Sequence, residues 1–218
     1  MRFRNRIDAG QQLADWLAAV RLVDPVVLGL PRGGIPVAWV VANRLGAPLD
    51  AFVAHKVGAP DHAELGIGAV AEDWADLVVT DTVAQLGISP AELAELADRT
   101  RADVQHRVET YRGTRALPPL AGRDVIVVDD GLATGVTAEA ALRALRERDP
   151  RQLILAVPVG ARETVERMSQ LADQVVCVLV PEAFFAVGEW YDDFRQTTDA
   201  EVLRMLPRGG HSDMEPDG

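Results

Sequence analysis

An alternation of short apolar runs with helical segments, continued along most of the chain, narrows the possible folds more than any other feature. Pro25–Leu30, Leu49–Ala54, Val125–Val128, Leu153–Val157 and Val175–Val180 read as strands, apolar on both sides of the pleat except at Asp50. Between them, helices are expected over residues 7–22, 36–45, 89–112, 138–148 and 163–171. The first turns Ile7, Leu13, Leu17 and Val20 toward one face. Ser89 caps the third, with Pro90 in its first turn and Glu92 three residues on, and Gly113 stops it. Strands with two apolar faces need cover on both, and a helix after each strand supplies it. The expected fold is α/β: a mostly parallel central sheet with helices on both faces. Residues 66–80 break the pattern and read as an irregular β-excursion ending in Leu77-Val78-Val79.

The 218 residues suffice for one well-buried domain and are too few for two of ordinary size. One domain is expected over 1–206, with a polar, disordered tail at 207–218. No apolar run nears the length of a membrane span, and the N-terminus has no signal-peptide core, which points to the cytoplasm. A net charge of −11 argues against a nucleic-acid partner, because duplex binding needs a basic surface to displace counterions. An anionic small ligand stays open, provided backbone N–H groups and a few placed cations supply the field. The single cysteine, Cys177, sits in an apolar strand and reads as a buried residue. His55, His62, His106 and His211 are scattered without metal-ligand spacing, and neither GxSxG nor GxxxxGK[ST] occurs.

The chemistry concentrates in VIVVDDGLATGVT at 125–137, which begins as a buried strand and ends as a helix start. In an open α/β sheet this turn lies at the carboxyl edge, where ligands bind. Gly131, Leu132, Ala133, Thr134, Gly135, Val136 and Thr137 form a loop whose glycines let successive N–H groups face one anion. Thr134 and Thr137 add hydroxyls, and the following helix adds its positive end. Asp129 and Asp130 precede that cradle and can accept hydrogen bonds from a vicinal diol. Phosphate plus diol is a ribose 5-phosphate.

This segment resembles the motif by which type I phosphoribosyltransferases bind 5-phosphoribosyl 1-diphosphate (PRPP). The resemblance implies that Asp129 and Asp130 hold the ribose hydroxyls, or a metal through water, and that residues 131–137 hold the 5-phosphate. LGLPRGGIPVA at 28–38 is similar to the family's diphosphate loop, which often contains a non-proline cis peptide. Arg32, Gly33 and Gly34 would then meet the diphosphate. HKVGAPDHAELGIGAVAED at 55–73 resembles in position the mobile catalytic loop that closes over that group. Lys56 would be its cation, although this chain has His55-Lys56 where many relatives have Arg-Lys. The aromatic-rich stretch at 181–202, with part of the N-terminal region, corresponds to the hood. Phe184, Phe185 and Trp190 would cover the acceptor there, unless they form a small satellite core.

The resemblance, a subgroup with unassigned acceptor, implies transfer of a 5-phosphoribosyl group from PRPP to a small molecule, with Mg²⁺ as cofactor and Lys56 and Arg32 catalytic. The acceptor is open among nucleobases, amines and sugar or cyclitol hydroxyls, and a homodimer is admitted. The alternative is a PRPP-sensing regulator that keeps the fold and binding loop without transfer.

Overall fold

A computed structural model describes residues 2–60 and 62–207, the side chains of Ala63 and Glu64 excepted. From residue 208 on, the tail expected to be disordered lies outside the described residues, as does His211. Five strands form the central sheet: β1 (Val26–Gly29), β2 (Leu49–Ala51), and, after a three-stranded excursion described below, β6 (Asp124–Val128), β7 (Gln152–Val159) and β8 (Gln174–Leu179). Their order is β2-β1-β6-β7-β8, and every pair is parallel. Alternate residues feed opposite cores, as two-sided burial requires. Val27, Ile126, Val128 and Ile154 pack on one face with α1 (Arg6–Leu17), α2 (Gly34–Leu45) and α4 (Pro90–Arg112). Val26, Leu28, Val125 and Leu155 pack on the other with α5 (Val136–Arg146) and Met168 of α6 (Arg162–Met168). No helix among the described residues is long and apolar enough to cross a membrane.

Chain order reverses between β1 and β6. From β1 the chain crosses to β2 on one side, and from β6 to β7 on the other. The loops leaving β1 and β6 therefore diverge and open a crevice at the carboxyl edge of the sheet.

The stretch expected as a mobile loop at 55–73 forms a paired hairpin. β3 (Ala54–Ala59) and β4 (His62–Ala71) run antiparallel, with register shifts at Gly58, and β5 (Val78–Val79) pairs with β4. Val57, Ile67 and Val70 are buried in one core, and Ala54, Ala69 and Ala71 in the other. Glycines interleaved with these residues hide a period-two pattern, and cross-strand bonds satisfy a backbone that reads as loose in sequence. Two short helices also escape the sequence pattern, α3 (Thr82–Leu86) and α7 (Asp199–Met205). α7 opens on a capping box from Thr198 to Glu201.

A buried ion pair ties the hairpin to the sheet. Glu72, just past β4, accepts from the N–H of Val53 at 2.8 Å and from Arg112 at the end of α4. Arg112 also donates to the carbonyl of Ala51 at 3.0 Å. Burial raises the Glu72 carboxyl above its usual range despite the guanidinium beside it. Removing the cation alone should leave a buried carboxylate unpaired. Arg112→Met should thus cost roughly 3–5 kcal/mol in urea unfolding, whereas the double replacement with Glu72→Leu should recover most of that loss.

Candidate active site

The acid pair closes β6 and meets the turn after β1 at very short range. A Cβ on Gly33 would stand 2.0 Å from Oδ2 of Asp130, and one on Gly34 would stand 2.6 Å from the Val128 carbonyl and 2.9 Å from Cα of Asp129. These glycines make room for the carboxylates themselves, a tighter constraint than the approach of a ligand. The Pro31–Arg32 peptide preceding them is cis.

Each carboxylate has one oxygen engaged by the chain. Oδ1 of Asp129 accepts the N–H of Asp130 at 2.8 Å. Oδ2 of Asp130 accepts from Nε of Arg6 at 2.8 Å and pairs with the same guanidinium again at 2.7 Å. Arg6 in turn donates to the Arg195 carbonyl at 2.7 Å and lies 4.0 Å over the ring of Phe194. The Tyr191 hydroxyl donates to the backbone carbonyl of Asp130 at 2.5 Å. Burial, with the charge of Asp130 beside it, pushes the Asp129 carboxyl well above the usual carboxylate range. Burial also raises Asp130, and Arg6 holds it back. Oδ2 of Asp129 and Oδ1 of Asp130 have no donor among the described residues, so one oxygen of each is left for a ligand.

The cavity above the pair has a volume of about 410 Å³ and is bounded by Pro31, His55, Lys56, the whole 129–138 stretch and Val187. Sequence elements far apart thus share one wall: β3 brings Lys56, the end of β6 the acids, and the loop that follows brings residues 131–137. Burial and Arg107 lower the His55 imidazole below its usual value, leaving it uncharged at neutral pH. Lys56 is then the cation beside the acids in this wall. Of the chain's 22 basic residues it is the only lysine, a signal that the sequence itself carries. Within the loop, Leu132 and Val136 turn into the core, and the Leu132 N–H is spent on the Val159 carbonyl at 2.8 Å. Gly135 has φ +72°, a left-handed turn that starts α5 with no side-chain cap and leaves its first N–H groups facing the cavity.

Other expected site residues lie elsewhere. The Arg32 guanidinium is 4.0 Å from Asp199 on α7 and does not bound the cavity. Asp199, which also accepts the Tyr111 hydroxyl at 2.5 Å, draws it away. Phe184 and Phe185 border a different cavity of about 570 Å³, which Ala133 and Thr134 of the loop also line, with Phe185 83% exposed. Trp190 packs with Phe3 and Tyr191 in a satellite core, the plainer of the two expectations for this stretch. Arg6 and Tyr191 escape a reading of the sequence because their role depends on contacts 124 and 61 residues away along the chain.

Among the described residues no three His, Cys, Asp or Glu side chains converge to hold a metal. Two free carboxylate oxygens suit a magnesium ion that brings phosphate oxygens with it, since that ion usually takes only one or two protein carboxylates.

The phosphoribosyl transferase domain family matches residues 4–193. Two Mycobacterium tuberculosis proteins, provisionally named phosphoribosyl transferases, are 43% identical over 216 residues, 99% of this chain and 48% of their own length. The chain thus spans about half the length of the curated relatives it matches. The crystal structure of TT1426 from Thermus thermophilus is 46% identical, with a TM-score of 0.79 over 94% of this chain and 98% of that one. The AQ2163 structure from Aquifex aeolicus, 14% identical with a TM-score of 0.51 over 84% of this chain and 76% of that one, shares the fold alone.

The raised Asp129 carboxyl ties stability to pH. A raised folded value means the contribution is fully present below the unfolded value of about 3.9 and is lost as pH climbs through the folded one. Asp129→Asn, which keeps an acceptor for the Asp130 N–H, should therefore raise Tm at pH 7–8 by roughly 2–4 °C, about 1 kcal/mol in a chain of this size. The gain should shrink as pH falls toward 4 in thermal unfolding followed by circular dichroism. A gain that does not change with pH would show that charge burial is not its source.

Proposed function

The chain belongs to the phosphoribosyl transferase family, and on that premise we propose that it transfers a 5-phosphoribosyl group from PRPP to a small-molecule acceptor, releasing diphosphate. The observation behind this reading is that Lys56, the acid pair and loop 131–137 bound a single cavity at the point where strand order reverses. In it, the 5-phosphate lies on the amides after Leu132 and at the start of α5. Asp129 and Asp130 take the ribose hydroxyls on their free oxygens, fixing the ring so that C1 faces the cavity. The diphosphate extends toward Lys56 and the 30–34 turn.

The C1–oxygen bond breaks with its electrons passing to diphosphate. The acceptor's lone pair forms the new bond at C1 from the opposite face, and the acceptor's proton is released. Lys56 meets the negative charge that grows on the leaving group; a compact ammonium on a flexible stem can follow it as the bond lengthens. Magnesium, when bound, adds positive charge to the same diphosphate and would be held by its oxygens with Asp129 and Asp130. Arg32, paired toward Asp199, is assigned to shaping the turn through its backbone instead of to catalysis. The hood is assigned to the segment around 184–195 together with residues 3–6, which are joined where the Phe3 N–H donates to the Trp190 carbonyl and the Asp192 N–H to the Phe3 carbonyl.

A second reading, a PRPP-binding regulator without transfer, draws on two observations. Arg6 already occupies one oxygen of Asp130, and uncharged His55 with displaced Arg32 leaves fewer cations for the leaving group than the family pattern supplies.

The two readings separate on Lys56. Under transfer, Lys56→Ala should lower diphosphate release from PRPP roughly 10²-fold while changing calorimetric PRPP affinity much less. Asp129→Asn with Asp130→Asn should abolish PRPP binding without unfolding the chain. A wild-type protein that binds PRPP but releases no diphosphate across a panel of nucleobase, amine and polyol acceptors would favour the regulator. Intact PRPP affinity in the double Asn variant would remove the ribose assignment.

A further inference from the structure

Three successive carbonyls of the phosphate loop are held from behind by one short stretch of chain. The Leu132 carbonyl accepts the N–H of Ala161 at 2.9 Å. The Ala133 carbonyl accepts the hydroxyl of Thr164 at 2.6 Å. The Thr134 carbonyl accepts the guanidinium of Arg167. All three donors belong to α6 or to the residue before it.

A trans peptide is planar, so the C=O of one residue and the N–H of the next point in opposite directions. Carbonyls 132, 133 and 134 drawn toward α6 therefore turn the N–H groups of Ala133, Thr134 and Gly135 away from it. The loop separates two cavities, one on the α6 side that Thr164 borders and one on the acid-pair side. Away from α6 is toward the acids. None of these three N–H groups donates to a partner among the described residues. Thr164 is well placed to hold the loop in this way. It is 5% exposed, and its methyl would stand 2.5 Å from a Cβ on Gly135, so it also demands glycine there.

We propose that Thr164 and Arg167 are positioning residues for anion recognition. Without touching the ligand, they hold the carbonyls of Ala133 and Thr134 outward and so aim the amides of Thr134 and Gly135 at a phosphate monoester. The inference rests on the reading of 131–137 as a 5-phosphate site and adds a helix that no motif in the sequence marks. Arg167 also lies 3.8 Å from Glu139 on α5, which links the strut to the helix that the loop starts.

The test follows the backbone amides of Ala133, Thr134 and Gly135 by ¹H–¹⁵N NMR while inorganic phosphate, then ribose 5-phosphate, is added, with calorimetry of ribose 5-phosphate in parallel. In the wild type these amides should shift downfield with both ligands. Thr164→Val keeps the shape and removes the donor. It should weaken ribose 5-phosphate roughly five- to tenfold, the equivalent of one hydrogen bond, and suppress the shift at Thr134 most. Thr164→Ser should restore both, a rescue that a purely packing role for the methyl does not predict. Arg167→Gln, at a half-exposed position, gives an independent reading should the buried valine prevent folding, with a smaller loss centred on Gly135. Wild-type affinity and shifts in both Thr164→Val and Arg167→Gln would overturn the strut while leaving the phosphate site standing. A wild type whose 133–135 amides ignore both ligands would overturn the phosphate reading and the strut together.

Discussion

Two adjacent carboxylates placed out of water at the end of β6 dictate the arrangement around them. Each loses hydration, and each is pressed by the charge of the other, so the chain surrounds them with specific countermeasures. Arg6 reaches from α1 to neutralise Asp130, and its flat guanidinium is itself pinned between the Phe194 ring and the Arg195 carbonyl. The same contact fastens the N-terminal helix to the 190s segment, where Phe3 pairs with Tyr191. Gly33 and Gly34 keep the neighbouring turn free of side chains that would collide with the acids. The cost of the pair is thus answered by three separate parts of the chain, and that convergence gives the site its walls.

The topology sets where this happens. Parallel strands whose order reverses between β1 and β6 leave a crevice only at their carboxyl ends, and both β1 and β6 end there in glycine-rich turns. The excursion through β3, β4 and β5 returns Lys56 to that edge from a hairpin whose base feeds both cores and is anchored by Glu72 and Arg112. Lys56 thus borders the same cavity as the acids although it comes from a different sheet. The α6 contacts to the loop carbonyls fix the loop from the opposite side.

Where reading the chain succeeded and where it failed follow the range of the interactions involved. Val125 to Thr137 was legible because strand, acids, loop and helix start are contiguous, and each follows from its neighbours. The cap at Ser89 and the stop at Gly113 were legible for the same reason. The 54–71 hairpin was misread because its buried residues alternate with glycines and its bulges break the period that identifies a strand. The role expected of Arg32 follows from the sequence of its own turn, whereas its neighbour Asp199, 4.0 Å away, lies far along the chain. For the aromatic run near residue 190 the sequence leaves two readings open, an acceptor cover or a satellite core, and Phe3, lone and unremarkable in sequence, turns much of it into a small core.

By itself the sequence determined the α/β layering and the strand, acid pair, glycine-containing loop and helix start that run from Val125 to Thr137. Apolar periodicity, turn residues and donor types act over a few residues and need no knowledge of the rest. Tertiary structure alone decided which charges face those acids. Arg6 at Asp130, Lys56 on a paired hairpin, and Thr164 and Arg167 behind the loop are all set by contacts between residues distant in sequence. Such contacts exist only once strand order and helix packing have brought their partners within hydrogen-bond reach, and no local pattern records that distance.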